Sequence, residues 1–472
     1  MTLIVLTAAV SPGGLLPVDE AARLMNDLVD GRPDQAEEVR SVILARHDTR
    51  FIAVLIELLR ASQIGRLPAS DDQAIVRALE ALSGQTYGAE WPAWVEWYGG
   101  TALVPPPGFT GWKGRLFARI DPRFADFLRD GEPSRIRPEE IEWGGVSVDG
   151  IPALTRPAMI RAAAASYLTP SDPVFGLAIH GEARAYPLRI LDWHEMVNDV
   201  VGGVPVSLAY CTLCGSGIAY DGRAAGGAVY TFGSSGLLDR SNKLMYDRQT
   251  RTLWNQLTGE PVLGPLAAHP VALRLLPVVL TTWADWQAQH PETRVLDPDT
   301  GYDRPYVPGI PYGSYFAAPG TMFPVWQRSR LLPPKARVYT LHLDGVPKAY
   351  PLDTLAARRV TNDLVGRTAV VLVATRGLVT VRGQGHGGPA DRVGGAVTYT
   401  AGGEVRAYGR AGQTFVPGPE ADTLLDAAGR PWRITEDYLL GPHGMRASRI
   451  NGFLAYWFGW YAFFPRTLVY QP

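Results

Sequence analysis

The chain has 472 residues, with 45 Lys plus Arg against 46 Asp plus Glu, and its formal net charge of −1 excludes the basic excess of a nucleic-acid groove or polybasic membrane surface. Its 51 glycines and 39 prolines exceed average usage, so turns and short strands are expected, while 46% hydrophobic residues allow a substantial core and argue against disorder. Only two cysteines occur, Cys211 and Cys214, too few for a disulfide-stapled scaffold or a four-cysteine zinc site.

The chain opens with a short apolar run, Leu3 to Val10, that has no basic residues before it and no clear small-residue cleavage site after it. A cytoplasmic location is expected, with export as the alternative. Four helices follow, Asp19–Val29, Gln35–Arg46, Thr49–Ala61 and Asp71–Leu82, each with apolar residues at three- and four-residue spacing and separated by short polar or Gly/Pro breaks. They read as a helical domain over residues 1–104, either a HEAT-like stack or a bundle, and as a surface for a protein partner. Trp91, Trp94, Trp97 and Tyr98 suit core packing. The run Val104-Pro105-Pro106-Pro107-Gly108 reads as a linker, and residues 105–141 as linker plus one more helix, Trp112–Arg129.

From Glu142 the texture becomes short apolar alternations broken by glycine. The segment Val174 to Leu188 returns as Val338 to Leu352, and Asn198-Asp199 with Val201-Gly202 returns as Asn362-Asp363 with Val365-Gly366, all at the same offset of 164 positions. Trp283-x-x-Trp286 with Thr293 matches Trp457-x-x-Trp460 with Thr467, offset by 174. This pattern predicts an α+β fold: an N-terminal all-α domain followed by a tandemly duplicated, β-rich α+β domain, with one unit at 142–300, a connector at 301–335, and a second, degenerate unit at 336–472. Within the first unit the alternation predicts strands at Val174–Ile179, Ala183–Tyr186, Val204–Tyr210 and Ile218–Asp221, and a helix over Leu188–Val197. No Gly-x-Gly-x-x-Gly or Walker-type loop follows a strand, so nucleotide binding loses its support. The longest late apolar run, Gly452–Phe464, falls short of the roughly 20 residues that cross a membrane, and a soluble protein without a membrane span is expected.

The two units serve as an internal control. Both keep Ala-Tyr-Pro-Leu and Asn-Asp, as shared backbone geometry requires. Only the first has Asp192-Trp193-His194-Glu195, where the second has Ala356-Ala357-Arg358-Arg359, and only the first has Cys211 and Cys214, where the second has Thr375 and Leu378. The groups capable of chemistry are absent together from the second unit. A Cys-x-x-Cys-Gly turn at a strand end resembles a metal knuckle, so Cys211, Cys214 and His194 are expected metal ligands, for zinc, iron or copper. Glu195 or Asp192 would complete the sphere or act as general base, with Asp239 as a further catalytic carboxylate. A helix face would hold His194 with Asn198, and another would hold Asp192, Glu195 and Asp199. Ser235, Asn242 and Arg248, in the polar stretch Phe232–Arg248, are candidate substrate contacts, though such residues more commonly satisfy turns. Met245 would serve as a soft ligand only for Cu(I), and otherwise belongs to the core.

The same Cys-x-x-Cys can instead cycle between dithiol and disulfide, or be structural. Against a thioredoxin-like motif, the residues after Cys214 read as strand and not as helix.

The motifs Glu142-Trp-Gly-Gly with Asp149-Gly-Ile-Pro-Ala-Leu154, Gly181-Glu-Ala-Arg-Ala-Tyr-Pro-Leu188, Trp193-His-Glu-x-Val-Asn-Asp199, Tyr210-Cys-x-Leu-Cys-Gly215 and Leu244-Met-Tyr-Asp-Arg248 resemble a bacterial and archaeal domain family of unknown function, over about residues 140–470. The resemblance implies that His194, Glu195, Cys211 and Cys214 belong to the family's motif, and it carries no activity. The expected function is a metal-binding, redox or metal-assisted enzyme acting on a small polar molecule. The alternatives are a thiol-disulfide oxidoreductase and a non-catalytic metal-binding or structural module.

Overall fold

A computed structural model describes residues 14–67, 72–224, 226–386 and 393–472, and its contacts divide the chain into two units, Met1–Ile141 and Glu142–Pro472. The run Leu3–Val10 and the predicted helix start Asp71 lie outside the described residues.

The first unit is helical: α1 Val18–Asp30, α2 Pro33–Arg46, α3 Phe51–Gln63, α4 Asp72–Ser83, α5 Trp91–Gly99 and α6 Phe109–Phe117. Every residue of α3 from Phe51 to Leu59 is buried, as expected of a helix apolar all round, and α4, α5 and α6 pack on it. The predicted helix Trp112–Arg129 stops at Phe117. There Asp121 caps a separate 3₁₀ turn, Pro122–Asp126, by accepting from the Arg123 amide, and Pro122 lacks the amide a continued helix would need. Residues 105–141 are also packed into this unit: Trp112 donates its indole N–H to the Met25 carbonyl at 2.8 Å, and buried Lys113 pairs with Glu57 at 2.6 Å.

The second unit is β-rich. Pro173–Ile179 and Glu182–Pro187 form a hairpin, flanked antiparallel by Val279–Thr282 and parallel by Arg294–Leu296. Helix α7, Leu188–His194, leaves this sheet and delivers the chain to a second one, in which Met196–Val201, Val204–Cys211 and Ser216–Asp221 run antiparallel. The same succession recurs 164 residues later: the hairpin Arg337–Leu343 with Val346–Pro351, the helix Leu352–Arg358, then Val360–Val365 paired with Thr368–Val373. Its hairpin too is flanked antiparallel by Phe453–Tyr456 and parallel by Leu468–Val469.

Side chains that both halves share hold this scaffold. Tyr186 donates to Asp199 and Tyr350 to Asp363, while Asn198 bonds both backbone groups of Phe232 as Asn362 does those of Phe415. Trp286 donates to Thr293 and Trp460 to Thr467.

One expectation fails informatively. The helix predicted over Leu188–Val197 ends at His194, because Glu195 takes φ 54° and Met196–Val201 is a strand. Asn198 and Asp199 therefore alternate across a strand and do not share helix faces with His194, Asp192 or Glu195. No described helix is long and apolar enough to cross a membrane.

Candidate functional site

Cys211 ends its strand opposite Ser216, and the turn Thr212–Gly215 brings Cys214 back beside it. Both thiols are free and buried. Residues from the second half close over this turn. The Tyr456 amide donates to the Cys214 carbonyl at 2.7 Å, and Gly459 lies so close that a Cβ there would stand 3.0 Å from Cys214 Sγ. Gly215, at φ 58°, faces the Tyr456 ring and Arg337 with no room for a side chain.

The two sulfurs differ. Burial raises both thiols, but Cys211 receives hydrogen bonds from the Cys214 thiol and from the amides of Lys243 and Cys214, which bring it below the ordinary thiol value. Cys214 is pushed well above that value, by burial first and then by its hydrogen bond with Cys211 and the charge there. The Asn242 amide donates to Cys214 Sγ at 3.3 Å. The one Cys214 proton serves either Cys211 or the Ser241 carbonyl, 3.4 Å from the sulfur. The pair is thus biased toward a Cys211 thiolate and a Cys214 thiol.

Beside Cys211 is a buried polar cluster built on Glu195. Its carboxylate accepts from Lys243 Nζ at 2.7 Å, Thr212 Oγ1 at 2.8 Å and Tyr312 OH at 3.3 Å. A cavity of about 50 Å³ adjoins the cluster, lined by Cys211, Glu195, Lys243, Thr212, Tyr312 and Ser234 among others. Cys214 is absent from that lining. Of the two cysteines, only Cys211 lines the chamber.

His194 is placed elsewhere. Its Nδ1 lies 2.8 Å from the Pro152 carbonyl, which can only accept, so Nδ1 carries a proton; burial favours the neutral ring, whose Nε2 accepts from Tyr306 OH at 2.6 Å. Both nitrogens are therefore occupied. Among the described residues no group of three or more His, Cys, Asp or Glu side chains is arranged to hold a metal.

Asp192 is buried and held well above the carboxylate range, by burial first and then by the charge of Glu195, and it does not line the chamber. Asp239 and Ser235 lie in the strand Phe232–Asp239, where Ser235 Oγ donates to the Leu244 carbonyl across a bulge. Arg248 pairs with Asp149 at 2.9 Å, and Met245 is core. Of the site residues expected from sequence, Glu195, Cys211, Cys214 and Asn242 are brought together; His194, Asp192, Asp239, Ser235 and Arg248 stand apart from the chamber.

Sequence reading overlooked Lys243, Thr212 and Tyr312. A signal existed for the first: the chain has only four lysines, and all four make specific contacts, Lys113 with Glu57, Lys243 with Glu195, Lys335 with the carbonyl of Ala318 and Lys348 with Asp363. Tyr312 comes from the stretch read as a connector.

A family model described as "Protein of unknown function (DUF3179)" matches residues 148–467, and the chain belongs to that family. That span takes in the whole of the site and almost all of the β-rich unit. No curated protein and no solved structure matches the chain.

Proposed function

We propose that Cys211 and Cys214 form a dithiol–disulfide couple, with Cys211 the attacking sulfur and Cys214 the resolving one, in a thiol oxidoreductase of the β-rich unit. The observation that carries this reading is the asymmetry of the pair: Cys211, favoured as thiolate, lines a small, mostly apolar chamber into which Glu195 and Lys243 bring charge, while its hydrogen-bonded partner Cys214 keeps its proton and does not line it. Closing the couple joins the sulfurs and removes two electrons and one proton from the Cys211 thiolate and the Cys214 thiol, the electrons passing to an oxidant. Further support comes from the second half, where Arg359 replaces Glu195 on the same helix–strand junction and the tight Cys-x-x-Cys turn is gone: the strand Thr368–Val373 pairs instead with Arg406–Gly409, and Thr375 and Leu378 stand at the sequence positions of the cysteines.

The test is thiol counting and peptide mass analysis of full-length protein after reduction and after oxidation, with metal analysis of the same preparation. A reversible Cys211–Cys214 disulfide, lost in Cys211→Ser, is the expected result. About one equivalent of zinc, iron or copper that disappears in both Cys211→Ser and His194→Ala would overturn it in favour of the metal centre, which requires His194 to leave Pro152 and Tyr306. Neither property would leave two structural cysteines.

A further inference from the structure

We infer that the oxidant of this dithiol is a small peroxide and not a protein or glutathione disulfide. The inference rests on the dithiol reading above and follows from the size, lining and access of the chamber. Its volume is about 50 Å³. A single water occupies roughly 10–15 Å³ on this measure, so the space holds a few water-sized groups, which suits the two oxygens of hydrogen peroxide. Attack on a disulfide needs the thiolate in line with an S–S bond that carries a substituent on each sulfur, and Cys211, only 1% exposed, offers no such approach. Met322, one of the residues that line the chamber, is itself half exposed.

The lining supplies what peroxide reduction needs. Cys211 Sγ attacks one peroxide oxygen, the O–O bond breaks, and the departing hydroxide takes a proton from the Lys243 ammonium to leave as water. Cys211 is then a sulfenic acid. Cys214 Sγ attacks it, the S–S bond forms, and the S–O bond breaks with loss of hydroxide, which takes the Cys214 proton and becomes the second water. One thiolate, one thiol, one peroxide and one added proton give one disulfide and two waters; both sulfurs are oxidised and the peroxide gains two electrons. Glu195 holds Lys243 at the chamber, and solvent restores the lysine proton. Cys214, which does not line the chamber, meets the sulfenic sulfur and not the peroxide, which sets the order of the two steps.

The experiment compares fully reduced, full-length protein exposed without air to equal concentrations of hydrogen peroxide, cumene hydroperoxide and oxidised glutathione, followed by thiol count and by mass analysis of the Cys211–Cys214 peptide pair. Hydrogen peroxide should close the disulfide at least about tenfold faster than either bulky oxidant. Ser234→Leu and Leu237→Phe, which fill the chamber from its wall, should each slow the peroxide reaction by about tenfold, and either suffices if the other fails to fold. Cys214→Ser should stop at a sulfenic acid that dimedone traps. Oxidised glutathione reacting as fast as hydrogen peroxide, or chamber-filled variants reacting at the parent rate, would overturn the peroxide assignment and leave the couple standing. If no oxidant joins Cys211 to Cys214, the couple itself fails, and the peroxide inference with it.

Discussion

Glu195 and Lys243 make a buried ion pair at the chamber, and its energetics are asymmetric: two buried charges in contact cost little net, whereas one left alone is expensive. Lys243→Met should therefore destabilise the protein by roughly 3–5 kcal/mol. Glu195→Gln combined with Lys243→Met should recover a large part of that loss, read by urea unfolding of the three variants; a double variant no more stable than the single would refute the pairing. Half of this pair was legible in sequence. Glu195 stood out because the corresponding residue of the second half is Arg359, whereas Lys243 lies 48 positions away in a hairpin, and no local spacing links the two. His194 shows the opposite failure. Its neighbours in sequence made it a plausible ligand, but the carbonyl of Pro152 and the hydroxyl of Tyr306, 42 and 112 positions distant, took both of its nitrogens.

At the scale of elements, the helix–strand junction after α7 decides where the site points. Glu195 has φ 54°, and Arg359, at the equivalent junction, has φ 63°; the Glu195 carbonyl accepts from the Tyr210 amide as the Arg359 carbonyl does from the Ala374 amide. The unusual backbone therefore belongs to the scaffold, and only the side chain placed on it differs. Non-glycine residues are strained there. Arg359 is exposed, so Arg359→Gly should relieve that strain and stabilise the protein by up to about 1 kcal/mol, seen as a higher urea midpoint. Apolar periodicity ran the helix on to Val197 because Met196 and Val197 are as apolar as a helix face requires; what ends it is the pairing of Met196–Val201 with Val204–Cys211, a contact no helical period encodes.

Across the β-rich unit, a buried charge network joins its two halves. Arg406 pairs with Glu404 and Glu436, Arg449 also meets Glu436, and Arg376 reaches Asp285 of the first half at 2.8 Å and Asp422 at 2.7 Å. Burial raises Glu404 and Glu436, but the guanidiniums, Arg406 foremost, hold both below their ordinary value of 4.5. A carboxylate depressed in the folded state contributes stability that is fully present above its unfolded pKa and is lost as pH falls through the folded one. Stability of this unit should accordingly drop on acidification below about pH 4.5, and Glu436→Gln should be destabilised by roughly 3 kcal/mol at neutral pH while showing a flatter acid-side slope, measured by denaturant unfolding across pH.

Sequence by itself determined the helical N-terminal region, the β-rich remainder and its 164-residue recurrence, because helical period, strand alternation and repeated motifs are local properties of the chain. It also singled out Cys211, Cys214 and Glu195 through their absence from the second half. Tertiary structure alone decided which groups meet. It set Lys243 and Tyr312 on Glu195, turned His194 toward Pro152, and brought Gly459 of the second half against Cys214. The physical reason is that hydrogen bonds and buried ion pairs act over a few ångströms in space, and the residues they join here come from strands and loops tens to hundreds of positions apart.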